Sequence, residues 1–305
     1  QLWHVYVFAF LLGCVTAFDS PVRQTFVAEI VGEEDLTNAV ALNSTSFNAA
    51  RMLGPAVAGL LISSVGSGWV FIINAVSFAA VIGSLLLLRV QLLRRVPRIK
   101  ATRASLGEGF RYVRQRPDLM AILLMLFLIG TFGLNFPIFL STMSVTAFHA
   151  GAGQYGVLSS IMACGSVAGA LLAAGRGQPT LALLLGAAAL FGLACALAAV
   201  MPNYWLFGMM LVVIGIAAQT FTTSVNSSVQ LSTAPAMRGR VMAIVLAISA
   251  GGTPLGAPIV GWVADTFGPR WALGIGALSG LAAALVGVRY LVKHHQLRLN
   301  LDLRR

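Results

Sequence analysis

Runs of about 20 apolar residues recur along the whole chain, the length an α-helix needs to cross a hydrocarbon core about 30 Å thick. Nine can be traced, at 2–18, 40–65, 69–89, 118–140, 153–175, 179–201, 204–229, 241–264 and 271–292. Hydrocarbon offers no water to an unpaired backbone N–H or C=O, so each run must close its own hydrogen bonds as a helix. The fold class expected is an all-α polytopic membrane protein. Composition agrees. Only 10% of the 305 residues are charged and 58% are hydrophobic, whereas a water-soluble surface is about a quarter to a third charged. The 32 glycines and 11 prolines suit membrane helices, where small residues allow close approach and neighbours re-satisfy broken backbone bonds.

The net charge of +11 could suggest a nucleic-acid partner, so where the charges fall decides its meaning. With the 19–40 junction placed inside, 18 of the 20 Lys and Arg residues fall on the inner side. Nine of them lie between Arg89 and Arg116, and only Arg270 falls outside, with Arg51 within a span. Cytoplasmic loops carry this excess, so the expectation is a multi-pass protein of the cell membrane with a cytoplasmic C-terminus and no nucleic-acid partner. Trp3, Trp69, Tyr204, Trp205 and Trp271 fall at span ends, as interfacial aromatic belts do.

Four parts follow. Residues 1–89 form a partial N-terminal bundle of three spans, and 118–293 a six-helix C-terminal bundle, with a cytoplasmic tail at 294–305. The basic 90–117 segment joins them. Its Ser105 and Glu108 have capping-box spacing, and Leu106, Phe110 and Val113 share one face among arginines, the pattern of a short amphipathic helix at the membrane surface.

The halves echo each other. Gly54, Gly59, Gly66 and Trp69 recur as Gly256, Gly261, Gly268 and Trp271, all at an offset of 202. Internal repeats mark transporter folds. A six-span second half implies a six-span first half, so three spans are expected to precede Gln1 and the chain is expected to be N-terminally shortened.

Several catalytic chemistries lack their residue sets. The sequence has no Gly-x-x-x-x-Gly-Lys phosphate loop and no His-Glu-x-x-His. Cys14, Cys164 and Cys195 each sit in an apolar run, and no His pair has i, i+4 spacing within a span. Neither an enzyme nor a metal or cofactor site is expected.

At this point the residues resemble the major facilitator superfamily. PVRQTFVAEIV at 21–31 with NAVALN at 38–43 resembles the loop between the fourth and fifth helices of an export branch that includes enterobactin exporters and macrolide efflux proteins. RMLGPAVAG at 51–59 resembles the superfamily's fifth-helix antiporter motif, with Ala58 in place of a glycine, and MRGRV at 237–241 fits the loop before the eleventh helix. The resemblance implies helices four to twelve of a twelve-helix, two-bundle transporter. It implies export of a small amphipathic solute, drug-like or siderophore-like, by alternating access with proton antiport, the protein acting as a monomer amid membrane lipid. The rival expectation is a truncated membrane protein that does not transport, or a helical scaffold.

Candidate residues follow from polarity in apolar spans. Arg51 shares a face with Asn48, and a charge near mid-membrane costs about 2.5–3.5 kcal/mol, so it is a candidate for holding an anionic group or pairing with a proton-carrying acid. Asp19, closing the first span, is a second coupling candidate, or else a cap. Thr131 and Asn135 stand one turn apart just before Pro137, in the span matching the seventh helix, as substrate contacts or as partners for backbone freed by the proline. Gln219, Thr223 and Asn226 line one face of the span matching the tenth helix. Gly54, Pro55, Gly59, Gly256 and Gly261 form the expected conformational motif, letting helices approach and slide.

Protease added outside intact cells is expected to spare the 90–117 segment, and the same protease added to inverted vesicles is expected to cut it. The fragment pattern on an immunoblot separates this orientation from its reverse.

Overall fold

The computed structural model describes residues 2–31, 64–93, 104–174 and 180–302, with isolated helical positions between 35 and 62. No strand occurs among the described residues. The helices are α1 (Leu2–Ile30), α2 (Ser67–Leu86), α3 (Ala104–Arg114), α4 (Pro117–Leu128), α5 (Phe136–Thr142), α6 (Ala152–Ala174), α7 (Leu181–Val200), α8 (Tyr204–Ser232), α9 (Pro235–Phe267) and α10 (Pro269–Asp302). Seven helical stretches among the described residues are long and apolar enough to cross a membrane, α4 and α5 counting together as Pro117–Ala147. In α1 the apolar part, Tyr6–Thr16, is shorter. Most of the expected 40–65 span lies outside the described residues.

The chain divides into two compact units, Gln1–Ala50 with Gly68–Lys100, and Arg51–Ser67 with Ala101–Arg305. The first holds α1 and α2. Helix α1 does not stop near residue 18 but runs through Pro21 to Ile30, as proline-bearing membrane helices can. Asp19 therefore lies inside a helix rather than capping its end. Helix α2 has no buried residue, and Phe71, Val76 and Ile82 all stand exposed. A helix apolar all round and unburied within its own unit calls for hydrocarbon or other helices around it.

The second unit contains the described core. Helix α6 packs along α8, α7 lies against both α8 and α10, and α9 lies against the α4–α5 segment and α10. Phe139, Phe191, Phe207 and Phe221 are fully buried. Phe136 meets Phe139 and Phe191 edge-on, with ring centroids 5.7 and 6.2 Å apart. The outer faces are as apolar as the core, with Leu193, Leu197 and Val200 of α7 exposed. Lipid tails are as oily as leucine, so burial alone does not drive such helices together, and close backbone packing must contribute. Glycine supplies it. A Cβ on Gly169 of α6 would stand 2.6 Å from the Ile216 carbonyl oxygen, and one on Gly165 or Gly215 would overlap the facing backbone of α8 or α6. On the α7–α10 seam, a Cβ on Gly280 would lie 2.6 Å from the Gly192 nitrogen.

Three details go beyond the sequence pattern. Helix α3 begins at Ala104, so Ser105 falls within it, and Glu108 pairs with Arg240 of α9 at 2.7 Å. The expected tail is largely helical, because α10 continues to Asp302. The fourth span is not one regular helix: π-turns occupy Ile129–Gly133 and Met143–Ala147, separated by α5.

The 202-residue echo has a backbone counterpart. Gly66 and Gly268 have φ of +84° and +98°, a region open to glycine and strained for most residues. Each ends one helix just before another starts, and Trp69 and Trp271 stand exposed in the first turn beyond.

Gly215→Val is expected to lower the thermal midpoint in detergent, since forcing bulk into a packed seam costs about 1–3 kcal/mol. Gly186→Ala, with no described atom within 4 Å of its new Cβ, is expected to be neutral or stabilising by up to about 1 kcal/mol. Fluorescence-detected melting of both variants measures the contrast.

Candidate functional site

The site begins with Pro137. Proline lacks an N–H, and its ring crowds the carbonyl four residues back, so the helix cannot run regularly through this point. Ahead of it the Leu134 N–H donates to the Ile129 carbonyl at 2.9 Å, a π-type bond, and such bulges concentrate at functional sites. The Asn135 Nδ2 donates to the Thr131 carbonyl at 2.7 Å. The two residues that the sequence singled out are thus brought together, one side chain repairing the other's backbone.

The repair leaves atoms over. Thr131 Oγ1 and Asn135 Oδ1 are buried with no hydrogen-bond partner among the described residues, and both residues are 1% exposed. Such an orphan costs about 1–3 kcal/mol. Helix α9 forms the opposing wall. A Cβ on Gly252 would stand 2.8 Å from Thr131 Oγ1, and one on Gly256 would overlap the Thr131 carbonyl oxygen. Gly252 and Gly256 are one turn apart on α9, which also carries Pro254 and Pro258. An interrupted helix and a continuous, proline-bearing one therefore meet backbone to backbone at this point. On the other flank, a Cβ on Gly133 would stand 2.8 Å from Ser279 Oγ of α10.

A second polar surface lies on α8. Gln219 Nε2 donates to Thr223 Oγ1 at 3.2 Å, and Asn226 Nδ2 donates to the Thr222 carbonyl at 2.9 Å. This stripe is turned away from the buried face of α8 that carries Phe221, Val225 and Val229, and Asn226 is exposed.

Asp19 is exposed on α1. Gly54 is helical and exposed, and no described atom lies within 4 Å of a Cβ built on it or on Gly261. Asn48, Arg51, Pro55 and Gly59 lie outside the described residues. No group of His, Cys, Asp or Glu that could hold a metal is found among the described residues.

Sequence reasoning passed over Gly252 and Tyr112. Tyr112 of α3 accepts at its hydroxyl from the Ala234 N–H at 3.2 Å and from Arg116 Nη1 at 3.3 Å. Arg116 also pairs with Asp118 at 2.6 Å and reaches the Ser232 carbonyl at 3.2 Å. Hydrogen bonding to Asp118 holds the guanidinium pKa above its ordinary value. These contacts tie the basic segment to the turn between α8 and α9. A spacing rule could have found Gly252, four residues before Gly256, but no local signal marks Tyr112.

The family model described as transmembrane secretion effector matches residues 1–300. The chain is 22% identical to the staphyloferrin A transporter of Staphylococcus aureus, over 92% of this chain and 71% of that protein. It is 23% identical to macrolide efflux protein A of Streptococcus pyogenes, over 91% and 70%. With the multidrug efflux pump Tap of Mycolicibacterium fortuitum it shares 25% identity, over 87% and 67%. In fold it is similar to a bacterial homologue of the human lysosomal transporter Spinster, with a TM-score of 0.55 at 18% identity over 89% of this chain and 72% of that one.

Thr131→Val, which removes the orphaned hydroxyl at nearly constant volume, is expected to leave the thermal midpoint unchanged or raise it, since an unsatisfied buried donor costs about 1–3 kcal/mol. Gly256→Ala is expected to lower it, because its Cβ meets backbone that cannot step aside. Thermal unfolding in detergent reads both.

Proposed function

The chain belongs to the transmembrane secretion effector family of the major facilitator superfamily, and from that premise we propose that it exports a small amphipathic solute, drug-like or siderophore-like, across the cell membrane. The observation that carries this reading is the pair of orphaned polar atoms, Thr131 Oγ1 and Asn135 Oδ1, at the break between α4 and α5. Buried polar atoms without partners are rare in folded proteins. A solute N–H donated to Asn135 Oδ1, or a solute polar group meeting the Thr131 hydroxyl, relieves the cost. The Gln219, Thr223 and Asn226 stripe extends the polar lining.

Transport proceeds by alternating access, two bundles rocking about a site near mid-membrane. Gly252 and Gly256 let α9 sit against the Thr131 backbone with no side chain between, so the contact can shift without unpacking. The cycle exchanges solute for protons. Asp19 and Arg51 are the coupling candidates, Asp19 by changing its protonation and Arg51 by holding the partner charge. The protein acts as a monomer with its arginine-rich segments in the cytosol. The names of the relatives, which transport a siderophore, macrolides or several drugs, support the solute class.

The test is reconstitution of the full-length natural protein in liposomes with an imposed proton gradient and a macrolide or a lipophilic dye as probe. Gradient-driven movement that stops with an uncoupler is expected. Asn135→Leu and Gln219→Leu are each expected to slow it about tenfold, the loss of one or two hydrogen bonds, while remaining monodisperse. Movement that ignores the proton gradient removes antiport, and wild-type rates in both variants remove the assigned site.

A further inference from the structure

An apolar pocket of about 370 Å³ lies where α3, α4 and α9 meet, with Phe110, Phe127, Ile244, Ala247, Ile248 and Leu255 among its walls. On α9 its lining runs from Ala243 to Leu255. At 1.5 Å per residue that is about 18 Å, close to half of a hydrocarbon core about 30 Å thick. The pocket is therefore about one leaflet deep. It begins at α3, the amphipathic helix whose Phe110 stands 64% exposed.

That end is basic. Arg114 follows Phe110 by one turn on the same face of α3, and Arg240 precedes Ile244 by one turn on α9. Arg240 is paired with Glu108. No described carboxylate pairs with Arg111, Arg114 or Arg238, and all three are exposed. An apolar slot of leaflet depth, with surplus positive charge at its interfacial end, is complementary to an anionic amphiphile lying along the membrane normal. Juxtamembrane arginines attract anionic lipid in just this setting.

We propose that this pocket is a binding site for an anionic phospholipid of the leaflet that α3 meets. One acyl chain lies between Phe110, Phe127 and the Ala243–Leu255 face of α9, and the phosphate sits beside Arg111 and Arg114 of α3. The lipid fills the gap that Phe110 leaves open. It braces the linker helix against α9, which α3 already touches through Gly109 at Arg240 and through the Glu108 pair. The pocket adjoins the polar break through Gly252, and its occupant is retained rather than transported.

The test uses the full-length natural protein in mild detergent, with phosphatidylglycerol and phosphatidylcholine of identical chains as probes, read by native mass spectrometry. Phosphatidylglycerol is expected to be retained in preference, with retention falling about fivefold per arginine removed in R111Q and R114Q. Ala247→Trp, which fills the slot, is expected to abolish it. Should that variant misfold, a phosphatidylglycerol bearing a diazirine on its acyl chain reads the wild type directly, with adducts expected at Phe110, Phe127 or 243–255. Equal retention of the two lipids, unchanged retention in R111Q and R114Q, or adducts elsewhere on the protein overturns the proposal. A photoreactive residue at position 247 that captures another protein segment, or a transported macrolide that displaces the lipid, overturns it as well.

Discussion

Everything in this structure depends on the requirement that a peptide group in hydrocarbon find its hydrogen-bond partner within the protein. That requirement turns each long apolar run into a helix and leaves no room for strands or open loops in the spans. It also makes any departure costly enough to need an explanation. The main departure among the described residues is the segment from Ile129 to Asn135, where a π-turn, a kink and Pro137 interrupt the ladder. The Asn135 side chain compensates in part by bonding the Thr131 carbonyl. What it leaves unsatisfied is polar capacity held in a dry place, the form in which a membrane protein can keep a binding site.

Close packing is the second consequence. Helices in lipid gain little from burial as such, so seams rely on backbone approaching backbone. Gly165 and Gly169 against Val212 and Ile216, and Gly192 against Gly280, are such seams within the second unit. Gly252 and Gly256 make the same kind of contact with the Thr131 backbone, but against an interrupted helix and beside two prolines. The first two seams read as fixed joints; the third couples a glycine seam to the polar break. The same residue type thus packs against a regular helix in one place and against a broken one in another.

The basic segment is more than a tether. Tyr112 holds the turn before α9, Glu108 holds Arg240, and Arg116 joins Asp118 to the end of α8. The exposed Glu108–Arg240 pair contributes under about 1 kcal/mol. The set therefore works through geometry more than through energy, fixing α3 beside the helix that faces the polar break.

The sequence by itself determined the class of the protein, because twenty-residue apolar runs have one stable form in hydrocarbon and because arginine-rich links sort to one side. It also marked Thr131, Asn135, Gln219 and Thr223, since a polar residue in an oily span is conspicuous wherever the chain folds. It marked Gly66 and Gly268 through their shared offset from Trp69 and Trp271. Only the tertiary structure decided which helix faces the polar break, that Glu108 pairs with Arg240, and that α1 and α10 run on past their apolar stretches. Local spacing records what a residue is and which face it shares. Which backbone lies across the gap from Thr131 depends on contacts between segments more than a hundred residues apart, and no local pattern encodes that.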